Sequence, residues 1–230
     1  MSHTEDIILR NNSKRARITI IFFSFICLID LVSITFHGFS IPVFESFKSG
    51  SDAQMLGKIE NKSDAQTLIM LFRYIFSITA FILFLRWFRR AYGNIRRMKL
   101  NPVHYESMPV LAFFMPFVFL YRPHNIAREI FEKNINQLKN LIPDYTSTKT
   151  PGIVALWWIG HMIGNFVLSF VPVEIFIYVS HDQLIQNSVN ALLLSLFDLA
   201  RRIITIIMIC QMSKDEKLLF NYYEPAKRYN

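Results

Sequence analysis

The chain has 230 residues, 52% hydrophobic and 15% aromatic, with only 18% charged and a formal net charge of +8. A positive mean hydropathy with charges this few and this clustered falls outside the range of soluble domains and points to a bilayer as solvent. The two cysteines, Cys27 and Cys210, each lie inside an apolar run, a placement that excludes a disulfide framework and a Cys/His metal pattern.

The opening stretch "MSHTEDIILRNNSKRAR" is too long and polar for a secretory leader, and no small-residue cleavage site follows it. The first apolar run is therefore expected to remain as an anchor. Four runs are long enough to cross a hydrocarbon core: residues 18–36, 68–88, 153–179 and 189–212. A fifth, residues 108–121, is too short to span and carries Pro109 and Pro116, which suits a re-entrant or interfacial segment. Apolar residues Ile126, Ile130, Phe131, Ile135, Leu138 and Ile142 recur at helical spacing. They predict a cytoplasmic amphipathic helix over 125–142, lying on the membrane or on a neighbouring subunit.

Lysines and arginines set the orientation. Alternate assignment of the flanks gives 19 cations on one side and 3 on the other, which places both termini in the cytoplasm. The expected architecture is an all-α integral membrane protein, a single domain over 1–230 with four transmembrane helices, multi-pass in a bacterial inner membrane.

The stretch "FLRWFRRAYGNIRRMK" directly follows the second run. On a helix, Arg86, Arg89, Arg90, Arg96 and Arg97 fall within an arc of about 120°, with Gly93 in its middle. Arg10, Lys14 and Arg17, at i, i+4 and i+7, make a smaller stripe before the first run. Such arginines hold topology and touch anionic lipid in any multispan protein. The preference for arginine over lysine also suits bidentate phosphate contact, and Tyr92 and Trp87 flank the arc as candidates to stack on a base. The five arginines with Tyr92 are thus a candidate site for an anionic ligand, a nucleotide or single-stranded oligonucleotide.

Asp30, Arg73, Asp198, Arg201 and Arg202 sit within apolar runs. Ionised groups there face a bundle interior, a partner or water. Similar depths predict pairing of Asp30 with Arg73, and helical spacing lets Asp198 reach Arg201 and Arg202. These five are the candidate pore or intramembrane polar residues. No GxSxG, HExxH, Walker loop or GxGxxG occurs, so the chain is expected to be no enzyme and to use no metal or cofactor.

The segments "RWFRRAYGNIRRM", "MPVLAFFMPFVFLYRPHNIAREIFE", the "WW" opening the third run and "ARRIITIIMICQ" together resemble the bacterial proteins grouped as domain of unknown function 4328, over roughly residues 66–213. By this resemblance Trp87, Arg90, Asn94, Pro116, Arg122, Pro123, Glu129, Trp157, Arg201, Arg202 and Gln211 are the family-pattern positions. The apolar "IITIIMIC" after Arg202 departs from that pattern. The resemblance implies a multispan bacterial membrane protein and no particular activity.

The resulting expectation is a homo-oligomeric, channel-like membrane effector, in stress or anti-phage defence by analogy, regulated by an anionic ligand at the cytoplasmic arginines. The alternative is a non-conducting scaffold or sensor that recruits a soluble regulatory protein through the amphipathic helix.

Overall fold

The computed structural model describes residues 9–46, 53–146, 152–167 and 181–224, and the side chains of all of these except 44, 46, 53–65, 166, 167, 181 and 184. Every regular element among them is helical. The long helices are α1 (Ser13–Ser46), α2 (Ala53–Arg97), α4 (Arg122–Leu141) and α6 (His181–Tyr223). A single turn forms α3 (Met108–Leu111), and α5 (Gly152–Met162) continues into a π-helical turn, Ile163–Val167.

Local chemistry explains the helix ends. Asn11 Oδ1 accepts the Ser13 amide at 2.9 Å, an Asx-type turn that starts α1. At the end of α2 the Leu100 amide reaches the Ile95 carbonyl and the Lys99 amide the Arg96 carbonyl. Lys99 takes the left-handed φ of 57°, a Schellman stop made without glycine. Both α1 and α2 run well beyond the apolar stretches that predict them. The interval between the first two runs is helical over 37–46 and 53–67, and residues 47–52 lie outside the described residues. Its polar residues include good helix formers, and hydropathy alone does not see them as helix.

Among the described residues, two helices are long and apolar enough to cross a membrane, Ser13–Val43 and Gln66–Arg97, with 22% and 17% of their apolar windows buried. A core helix of a soluble protein would be mostly covered, so these low fractions favour lipid as the missing partner. The third apolar run is helical over 153–167, and the rest of it, Pro172 and Glu174 included, lies outside the described residues. The fourth lies wholly within α6.

The chain divides into two compact units, and α1, α2 and α6 contribute to both. Unit one comprises Met1–Ile21, Ala80–Ile159 and Ile204–Asn230. Its core is the end of α2, the apolar face of α4, the start of α5 and the end of α6: Trp87, Phe88, Ile95, Ile126, Ile130, Trp157, Met208 and Met212 are all buried. Phe113 packs edge-on against Phe84, Phe88 and Trp158, which ties the short apolar segment to α2 and α5. The tip of that segment stays bare: Leu111, Phe114, Met115 and Phe117 are exposed.

Burial of α4 corrects one expectation. Ile126, Ala127, Ile130, Phe131 and Leu138 are covered within the protein's own core, not by lipid or a neighbouring subunit. Periodicity identifies an apolar face and says nothing about what covers it.

Unit two comprises Phe22–Thr79 and Gly160–Ile203, and its burial is inverted. Phe25, Leu28, Leu31 and Val32 of α1, Leu71, Phe72, Ile75 and Ile78 of α2, and Leu193 and Leu196 of α6 face outward. Asp30, Ser33, His37 and Ser40 of α1, and Ser188, Ser195 and Arg202 of α6, are buried. Apolar side chains outside and polar groups inside is the pattern of a bundle solvated by lipid.

Candidate functional site

Two groups of polar residues emerge, one in each unit. In unit two, three helices bring five ionisable side chains together. Arg73 of α2 contacts Asp30 Oδ1 through Nε at 3.2 Å and Asp198 Oδ2 through Nη2 at 2.5 Å. Asp198 also pairs with Arg201 at 2.8 Å and with Arg202 at 3.5 Å on its own helix. Arg202 pairs with Asp30 across to α1, and Asp30 has no exposed surface. The sequence-derived sets, Asp30 with Arg73 and Asp198 with Arg201 and Arg202, are thus one cluster. The Arg201 side chain passes over two glycines of the α5 segment: a Cβ at Gly160 would lie 3.6 Å from its Cγ, and one at Gly164 would lie 3.4 Å from its Nη1. Above the cluster, Ser33 and Ser195 share a hydroxyl hydrogen bond of 2.9 Å.

In unit one, residues 9–12 are not helical, so the stripe of Arg10, Lys14 and Arg17 does not form as a helical face. Instead the segment lies antiparallel along α2. The Arg10 amide donates to Asn94 Oδ1 at 3.2 Å, and Asn94 Nδ2 returns a bond to the Arg10 carbonyl at 2.9 Å. Asn12 Nδ2 donates to the Trp87 carbonyl at 3.2 Å, and Arg15 Nη1 to the Arg86 carbonyl at 3.0 Å. This places Arg15 where the charges of Arg10, Arg86 and Arg89 act on it, and Arg90 where those of Arg10 and Arg15 do. Arg97, beside Glu106 at 3.8 Å, feels Arg10 and Arg90. Gly93 leaves room for this last pair, because a Cβ there would come within 2.9 Å of both Arg97 Nη1 and Glu106 Oε1. Arg96 is exposed.

Beneath this face sits Glu216 of α6, buried, accepting from Asn12 Nδ2 at 2.9 Å and Asn94 Nδ2 at 2.5 Å. Burial pushes its carboxyl from 4.5 up to about 7, against the opposing pull of the two amides and Arg90. Trp87 Nε1 donates to Ser213 at 3.2 Å nearby. Sequence reasoning missed Glu216. Its only signal was a carboxylate placed on the same helical stripe as Met208, Met212 and Leu219, which are core residues.

The aromatic half of the anion site is corrected. Tyr92 is 1% exposed and Trp87 has no exposed surface, so neither offers a ring face to a base. Tyr92 instead donates its hydroxyl to Glu129 at 2.9 Å and accepts the His104 amide at 2.8 Å. Glu129 also accepts the Val103 amide and pairs with Lys133, and together they fasten the loop after α2. Helical angles put both rings beside the arc, but packing by α4 and α5 takes them into the core. Among the described residues no cluster of His, Cys, Asp and Glu suits a metal ion, and both cysteines are free thiols.

The sequence model of the family described as "Domain of unknown function (DUF4328)" matches residues 53–214, and the chain belongs to that family. No curated protein and no solved structure shows significant similarity to it. The pattern residues Trp87 and Asn94 thus sit within the matched region, while their partners Asn12 and Glu216 lie outside it.

Proposed function

We propose that this DUF4328 protein is a four-span protein of a bacterial cytoplasmic membrane with both tails cytoplasmic. It assembles as a homo-oligomer and passes ions under control of an anionic ligand held by its cytoplasmic arginines. The observation that carries this reading is the charge cluster Asp30, Arg73, Asp198, Arg201 and Arg202 inside an outwardly apolar unit. Ionised groups in that setting are expensive and mark ion or water paths. The arginine face of Arg86, Arg89, Arg90 and Arg97 supports the ligand half of the proposal. The bare tip around Phe114 and Phe117 then rests in the lipid interface.

Conductance of purified protein in liposomes tests it. Wild type conducts in a manner that an added polyanion changes. Arg90→Glu or Arg97→Glu removes the polyanion effect, and Asp198→Asn alters conductance itself. Conductance that is absent, or indifferent to all three substitutions and to polyanions, refutes the reading. A scaffold acting through α4 would have to use that helix's charged side, since the apolar side is buried.

A further inference from the structure

We propose that the N-terminal segment is the second wall of the arginine site, and that the ligand is an anion bearing two or more phosphoryl groups, recognised by those groups alone. This rests on reading the arginine face as an anion site and goes further in naming its missing half and its ligand chemistry.

The backbone and side-chain bonds from Arg10, Asn12 and Arg15 to Asn94, Trp87 and Arg86 hold the segment against α2. Six guanidiniums result on one face: Arg10, Arg15, Arg86, Arg89, Arg90 and Arg97. Among the described residues the carboxylates acting on Arg90 and Arg97 are Glu106, paired with Arg97, and the buried Glu216. Six like charges at close quarters against two acids leave a standing repulsion that a polyanion relieves. From Arg86 to Arg97 the row extends about 16 Å along the helix. A phosphoryl group engages about two guanidinium forks, so the row suits several phosphoryl groups in line rather than one. Because Trp87 and Tyr92 are buried, no ring of the kind single-strand binders stack on is available from them. Stacking on these two rings therefore adds nothing to recognition.

The test uses the full chain in nanodiscs of zwitterionic lipid, titrated calorimetrically with tripolyphosphate. Binding is expected. Arg10→Gln with Arg15→Gln should weaken it about tenfold, as should Arg90→Gln with Arg97→Gln. Lys14→Gln with Arg17→Gln should leave it unchanged, because these exposed neighbours make no hydrogen bond to α2 among those described. An oligonucleotide of matched charge should bind no more tightly than tripolyphosphate. Amide exchange over residues 9–15 should slow on binding, a readout that needs no variant. Doping the discs with a lipid that carries two phosphates separates the sources: loss of tripolyphosphate binding assigns the site to lipid headgroups, and undiminished binding assigns it to a free anion. If only the α2 pair of substitutions weakens binding and exchange at 9–15 is unaltered, the second wall is refuted while the anion site stands. A clear preference for one base sequence refutes recognition by phosphoryl groups alone. No binding by wild type in either lipid overturns both.

Discussion

Replacing Glu216 with glutamine should flatten the pH dependence of stability. Glu216 is 7% exposed, its carboxyl lies between Asn12 and Asn94, and burial raises its folded pKa from 4.5 to about 7. Below pH 4.5 the group is neutral whether the chain is folded or unfolded. Between 4.5 and 7 the unfolded chain releases the proton and the folded one retains it, so stability falls as pH rises and levels off above 7. The difference amounts to about 3 kcal/mol, or roughly 6–12 °C in Tm for a chain of this size. Glutamine keeps one acceptor oxygen and loses the other, which costs about 1 kcal/mol at every pH. Thermal unfolding in detergent, followed from pH 5 to 8, should show the wild-type midpoint dropping relative to the variant. Parallel curves would mean that Glu216 is ionised in the folded protein, and the burial argument would fail.

Asp30→Asn should destabilise unit two by about 3–5 kcal/mol, since Arg73 and Arg202 both contact this carboxylate; a detergent melt that moves by only a degree or two would show that the cluster is wet. Removing the Tyr92 hydroxyl with Tyr92→Phe should cost about 1–3 kcal/mol by leaving Glu129 and the His104 amide each short of a bond. The same variant should bind tripolyphosphate as wild type does, and weakened binding would restore Tyr92 to the ligand site. Phe117 is 82% exposed, so Phe117→Trp should report the lipid interface through quenching of its fluorescence by brominated lipid; emission typical of water with no quenching would remove that segment from the membrane.

By itself the sequence determined the class of the protein. Hydropathy and charge distribution depend on composition along the chain, and they specify apolar helices with cationic flanks before any contact is known. Helical spacing likewise sufficed for Asp198 with Arg201 and Arg202, because partners three and four residues apart meet on any helix. What the tertiary structure decided is everything that depends on which faces meet. Only packing could join Asp30 on α1 to Arg202 on α6, or turn Trp87 and Tyr92 away from the arginines and into a core with α4 and α5. Only a non-helical N-terminal segment could bring Arg10 to Asn94 in place of the expected stripe. Periodicity ranks residues around one helix axis. The rotation of that axis against its neighbours is set by the fit of many side chains at once, and no single stretch of sequence records it.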